Sequence, residues 1–338
     1  MKSSRLAMFR RLCLLGTIVA FCVIVLGAYV RLSHAGLGCP DWPGCYGHLT
    51  AGEAAENQQA VNAAYPERPI EYVKALKEML HRYLAAALGL LILVIAALAW
   101  RNRHDQQQPV GLPLATVALV IFQGMLGMWT VTLLLKPAIV SAHLLGGLTT
   151  MSFLWWMSLA TQRRSRPAGE SRLRRWALVG AVVLGVQILL GGWVSTNYAA
   201  VACPDFPTCQ RSFWPQMDFG DAFVLWRGLG IDYEGGVLDH PARVAIHYTH
   251  RLGAVIAAAV LGFVAWQAMR RGQSRGVRMA GGALAVALAA QLLVGPVMVL
   301  ASFPLSLATI HNAVAALLVL AMVALLRFLF PQRGSSLY

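Results

Sequence analysis

Charge is scarce in this sequence: 12% of its 338 residues are Asp, Glu, Lys or Arg, where an ordinary soluble domain carries about a quarter. With 58% hydrophobic residues and a mean hydropathy of +0.60, such a chain is not a soluble globular enzyme. Acids are scarcer still, 14 against 28 basic residues. Yet the excess of +14 is not gathered into the blocks of a nucleic-acid binder, because long uncharged stretches separate the bases. Cysteines number six, and none of them, nor any carboxylate, stands near the C-terminal histidine pair to complete a tetrahedral zinc site. No polar stretch is long enough for a separate soluble domain. Lipid is the solvent this composition suits.

Uncharged runs of about 18 or more residues, the length of a bilayer crossing, fall near 13–30, 83–100, 110–135, 137–160, 176–201, 252–269, 279–301 and 305–326. They predict an all-α, polytopic membrane protein of eight transmembrane helices. Pro296, Pro304 and the Ser302-Phe303-Pro304 break split the last apolar stretch into a tight hairpin. Residues 1–30 have the basic start of a secretory signal, but their apolar stretch is too long and is matched later in the chain, so they read as helix one. An even number of crossings puts both termini on one side, which holds 18 of the 28 basic residues and 2 of the 14 acids. That bias makes the terminus side cytoplasmic, in the plasma (inner) membrane if the source is a bacterium.

The sequence repeats itself. Gly38-Cys39-Pro40-Asp41-Trp42-Pro43-Gly44-Cys45 returns as Ala202-Cys203-Pro204-Asp205-Phe206-Pro207-Thr208-Cys209, and Leu26-Gly27 as Leu190-Gly191, both 164 residues on. His81-Arg82 returns as His250-Arg251, 169 residues on; Gln123, Gly127 and His143 return as Gln291, Gly295 and His311, 168 on. Residues 1–169 and 170–338 are therefore expected to be two four-helix bundles of the same polarity, related by a pseudo-twofold axis along the membrane normal.

A histidine inside a membrane helix is costly and is a functional candidate by default. An interhelical hydrogen bond accounts for one; four at repeat-equivalent positions, all within about two turns of the outer helix ends, suit two planar macrocycles whose irons each take imidazole above and below. The expected pairs are His81 with His143, and His250 with His311. Arg82 and Arg251 follow their histidines and either pair with carboxylates such as porphyrin propionates or snorkel to the headgroups. Glu78 stands three residues before His81, where the second half has His247. A carboxylate there suits proton removal or stabilisation of developing positive charge; it equally suits a solvated helix entrance, and His247 a supporting or merely interfacial role. Cys39 with Cys45 and Cys203 with Cys209 are expected to form disulfides in outer loops, either as staples or as redox groups. Cys13 and Cys22 read as packing residues of helix one, His34, His48, His104 and His240 as ordinary loop residues, and Gly146-Gly147 as an exposed small-residue face that allows a homo-oligomer.

Together the run Arg31 to Cys45, Glu78-Met79-Leu80-His81-Arg82, the helices carrying Gln123 and Gln291, Ala142-His143, Thr249-His250-Arg251 and Ile310-His311 resemble the haem A synthase family over all eight helices. The resemblance implies oxidation of the C8 methyl of haem O to a formyl group by successive hydroxylations and loss of water. It implies a haem b cofactor on His250 and His311, with Arg251 beside it. Substrate haem O would lie between His81 and His143, with Arg82 nearby and Glu78 next to the reacting methyl; Cys39 and Cys45 would be the family's outer-loop pair. Implied partners are haem O synthase (protohaem farnesyltransferase), cytochrome oxidase assembly factors and an electron acceptor or donor. A di-haem b-type electron carrier is the alternative, but it stacks haems across the bilayer with two histidines on one helix, whereas here each ligand helix has one and all four lie at the outer level.

Overall fold

In the computed structural model, residues 2–159 and 170–330 are described. Arg163, Arg164, Arg166 and Arg333 of the inner basic segments lie outside them. The described chain is all-helical, and eight helices are long and apolar enough to cross a membrane: α1 (Lys2–Leu32), α4 (Tyr72–Arg101), α5 (Gly111–Thr132), α6 (Pro137–Ser158), α7 (Ser171–Thr196), α9 (His240–Arg271), α10 (Arg275–Leu300) and α11 (Leu305–Leu329). Short helices α2 (Ala51–Glu56) and α3 (Gln58–Ala64) lie in the first outer loop, and α8 (Phe219–Ala222) in the second.

Charged residues end an uncharged run but not a helix. α4 and α9 begin about three turns ahead of the expected 83 and 252. Their outer ends continue through charges that find local partners, Lys74 with Glu71 at 2.7 Å and Arg82 with Glu78 at 2.5 Å. His81 and His250 are consequently deeper than two turns from their helix ends; His143 and His311 are at the expected depth. Pro296 does not break the chain but lies within α10, as membrane helices tolerate when neighbours accommodate the freed carbonyl. The turn falls at Ala301–Pro304, with Ser302 and Phe303 at positive φ, as Leu134 and Leu135 are in the α5–α6 turn.

Each set of four long helices forms a ring. α1 packs on α4 and α6, and α5 closes the ring between them; α9 and α11 likewise flank α7 and α10. α4 thus stands diagonal to α6, and α9 to α11. With neighbours about 8–10 Å apart, such diagonals are roughly 11–14 Å across. The rings meet through α1 with α11, α6 with α7 and α6 with α11. Apolar side chains on the outside, Leu90, Ile121, Val182, Val255 and Leu293 among them, are exposed and suit contact with lipid tails.

Two expectations fail in the packing. Gly146-Gly147 is not an outward face, because the Gln123 side chain lies against Gly146 and Ile24 against Gly147; the small residues admit neighbours within the bundle. Cys22 is exposed rather than packed, whereas Cys13 is buried.

Candidate functional site

The four histidines fall on the diagonal helices of the two rings, His81 on α4 and His143 on α6, His250 on α9 and His311 on α11. Within each pair the imidazoles are in electrostatic reach of one another. Each ring lies against a glycine of an adjacent helix. A Cβ built on Gly27 would stand 2.8 Å from Cε1 of His81, and one on Gly191 3.0 Å from Cε1 of His250; Gly127 and Gly295 face His143 and His311 at 3.6 and 3.5 Å. These four glycines are the repeat-equivalent ones, so their use is to let an imidazole approach helix backbone. Four residues before Gly27 and Gly127, the carbonyls of Val23 and Gln123 lie near His81 and His143, outside bonding geometry.

The second half departs from this pattern at Gln187, which occupies the place of Val23. Its Nε2 is 3.1 Å from Nδ1 of His250 and 3.0 Å from the His250 carbonyl oxygen, while its Oε1 has no partner. The 164-residue offset pairs Gln187 with Val23 and was the signal for it; sequence reading, drawn to histidines and acids, passed over it. Nδ1 of His81, His143 and His311 also has no hydrogen-bond partner, nor have Gln123 Nε2 and Gln291 Oε1.

Both disulfides, Cys39–Cys45 and Cys203–Cys209, are formed. Asp41 closes its loop by accepting from the N–H groups of Tyr46 (2.6 Å) and Gly47 (2.8 Å); Asp205 does so from Gln210 (2.6 Å) and Arg211 (2.9 Å). Burial alone would raise the Asp205 carboxyl, but these N–H groups and the Thr208 hydroxyl hold it below the usual carboxylate range. The contacts that shape this loop are thus present above the ordinary carboxylate pKa and fade only as pH falls through that depressed value.

The two arginines hold the loops down rather than reaching for headgroups. Arg82 Nη1 donates to the carbonyls of Asp41 (3.0 Å), Pro43 (3.3 Å) and Gly44 (2.5 Å), and its Nη2 to Glu78. Arg251 donates to the carbonyls of Thr208 (2.8 Å) and Cys203 (3.0 Å), and its Nε to His247 Nε2 (3.2 Å). Glu78 is buried, so it is no solvated helix entrance; its second oxygen accepts from Cys39 N–H at 3.0 Å. His247 is buried too, with Phe303 edge-on at 6.1 Å. Arg82 is neutralised by a carboxylate, whereas Arg251 faces an imidazole.

Gly38 permits the Cys39–Glu78 contact, since a Cβ there would lie 2.6 Å from the Lys74 backbone. Gly38→Ala is expected to lift the first loop off α4, costing about 1–3 kcal/mol as a small-to-large change in a tight contact. Thermal unfolding of the variant checks this; an unchanged midpoint would contradict the packing.

The second outer loop crosses onto the first half. Lys136, the only charged residue between Asp105 and Arg163, is buried; it donates to the carbonyls of Arg227 (2.6 Å) and Gly228 (2.8 Å) and lies 3.7 Å from the Trp226 ring centroid. Arg68 bridges to Asp232 (2.6 Å) and Glu234 (3.2 Å), and Arg31 donates to the Ser195 carbonyl (2.9 Å). His34 and Tyr198, 164 residues apart, stack at 5.6 Å. His34 is therefore not an idle loop residue, and His240 opens α9 beside Gln210.

Two imidazoles alone do not hold a metal ion, and among the described residues no third His, Cys, Asp or Glu joins either pair. A metal held between them takes its other donors from a non-protein group. A planar macrocycle fits: each imidazole pair stands on diagonal helices of one ring, the only described side chains hydrogen-bonded to the pairs are the glutamines Gln187 at His250 and Gln291 at His311, and glycines leave room beside the rings. The fold and site define a multi-pass helical membrane protein with two histidine pairs, each on diagonal helices of a four-helix ring.

The family model described as "Cytochrome oxidase assembly protein" (COX15-CtaA) matches residues 10–323, and the chain belongs to that family. It is 41% identical over 317 residues to a protein of Shewanella oneidensis named "Heme A synthase", covering 93% of this chain and 94% of the relative. Proteins of the same name from Rhizorhabdus wittichii and Sphingopyxis alaskensis are 28% and 29% identical, over 92% and 88% of this chain and 90% and 85% of theirs.

Proposed function

We propose that this protein is a haem A synthase, which oxidises the C8 methyl of haem O to the formyl group of haem A for cytochrome oxidase. The observation that carries the reading is the placement of four repeat-equivalent histidines on diagonal helices, each against a glycine of its neighbour. In this reading residues 1–169 hold substrate haem O between His81 and His143, and residues 170–338 hold haem b between His250 and His311. The reciprocal helix contacts, α1 with α11 and α7 with α6, and the stacking of His34 on Tyr198 support two halves about a pseudo-twofold axis.

Bound haem b supplies one-electron redox chemistry. The chain supplies position and electrostatics. Glu78, fixed by Cys39 N–H and Arg82, keeps a buried negative charge beside the substrate pair, where it stabilises positive charge developing on the ring or accepts the proton released on hydroxylation. The first disulfide loop fixes that carboxylate, which is a structural use for the staple. Haem O is apolar enough to enter sideways from the bilayer, delivered by haem O synthase, and an external electron acceptor or donor completes the redox balance. In this reading the membrane is the bacterial plasma membrane, and the basic bias of the terminus side supports both termini being cytoplasmic. Incubating the purified protein with haem O and a redox partner, then extracting and weighing the porphyrin, tests the assignment: haem A is the expected product, and haem O recovered unchanged under every redox condition would contradict it.

An imidazole that offers Nε2 to iron carries its proton on Nδ1, and a neighbouring acceptor orients it. Turning the Gln187 amide brings its unpartnered Oε1 to that proton of His250, in exchange for the bond its Nε2 donates to the His250 carbonyl. Gln187→Leu is expected to weaken haem b retention about 10- to 100-fold, read as transfer to a soluble haem acceptor; wild-type retention would remove Gln187 from the site.

A further inference from the structure

At the opposite, terminus end of the molecule lies a cavity of about 340 Å³, walled by the first half and closed from the second by Arg327. Leu6, Phe9 and Arg10 of α1, Trp156 and Met157 of α6 and Arg327 of α11 form most of its wall. Arg327 is only 6% exposed, and its Nε has no hydrogen-bond partner. The Trp156 ring lies 5.2 Å from its guanidinium carbon, which attracts the cation but accepts none of its N–H groups in the ring plane. Among the described residues neither Arg327 nor Arg10 takes part in an ion pair.

Among the described residues no acidic side chain pairs with them. The two acids of this end accept from backbone N–H groups instead, Asp105 from Gln107, which lines the cavity, at 2.9 Å and Glu170 from Gln273 at 3.0 Å. The segments outside the described residues, 160–169 and 331–338, contain arginines and no Asp or Glu. A buried guanidinium whose Nε has no partner among the described residues, a second arginine and mostly apolar walls at the terminus end call for an anion that brings its own apolar body.

We propose that Arg10 and Arg327 bind the phosphate of an anionic phospholipid of this leaflet, its acyl chains running along α1, α6 and α11. The lipid then serves as a wedge between the two halves on the side away from the histidines. The chemistry shared with a free phosphate is the oxyanion; the apolar wall favours the lipid.

The test uses the full-length protein in nanodiscs and in detergent. Native mass spectrometry is expected to show phosphatidylglycerol retained in preference to phosphatidylcholine. Arg10→Gln and Arg327→Met are each expected to weaken that retention about fivefold, and the double variant about 25-fold, from roughly one charge contact apiece. Phosphatidylglycerol, but not phosphatidylcholine, is expected to raise the unfolding temperature of the wild type and not that of Arg327→Met, whose unfolding in phosphatidylcholine shows that it folds. Equal retention of the two lipids, wild-type retention by the double variant, or equal stabilisation by inorganic phosphate alone would each overturn the proposal. None of these readouts depends on haem oxidation.

Discussion

Purified His250→Ala protein is expected to lose haem b, as is His311→Ala. Either substitution removes one of the two proposed haem b ligands, and no other described His, Cys or carboxylate joins the pair. The loss should be at least as large as the 10- to 100-fold that follows removal of a merely supporting residue. Haem per protein, measured as the pyridine haemochrome, reads it directly. His81→Ala and His143→Ala act on the other ring of helices and are expected to spare haem b while weakening haem O binding. That split is what distinguishes two independent sites from one shared site. Unchanged haem b in both His250→Ala and His311→Ala would refute the cofactor assignment.

Glu78→Gln is expected to keep its haem and to lower haem A formation about 10²- to 10³-fold, the range found when a preorganised electrostatic group is removed from an active site. The amide oxygen still accepts from Cys39 N–H, and Arg82 keeps its three loop carbonyls, so the loop stays in place. The charge is lost, and with it the hydrogen bond from Arg82 Nη2. Extracted porphyrins from cells making the variant should be haem b and haem O with little haem A. A wild-type haem A yield would remove Glu78 from the chemistry and leave it as a clasp for the disulfide loop.

Much of this architecture was legible because the sequence is doubled. Uncharged runs located eight helices, the repeat offsets matched the histidines, and the Cys-Pro-Asp spacing anticipated both disulfides. Helix ends were misjudged where charge was taken for a boundary: Lys74 and Glu78 sit inside α4 because local pairing lets them remain helical, and Lys77 lies over the Tyr29 ring of α1. Pro296 was misread for a related reason, since a membrane helix accepts a proline where a neighbouring helix or local adjustment satisfies the freed carbonyl. Gly146 and Gly147 matched a small-residue surface motif, but which face of α6 is outward depends on the packing of α5 and α1, and that is not written in α6 itself.

The arginines show the same limit from the other side. Spacing put Arg82 and Arg251 beside their histidines, but it could not say whether they turned toward a ligand or toward the outer loops. The loops supplied bare carbonyls at closer range, and both guanidiniums took them. Glu78 and His247 are then the residues that make two nearly equivalent clasps electrically different. Gln187 adds a second difference at the place of Val23, within hydrogen-bond distance of an imidazole.

The most direct measurement is acid extraction of the purified protein followed by mass analysis of every porphyrin it carries. Two chemically distinct haems are expected in one preparation: haem b lost selectively with His250, and haem O or haem A lost selectively with His81. A colourless, iron-free protein recovered from cells amply supplied with haem would contradict the account.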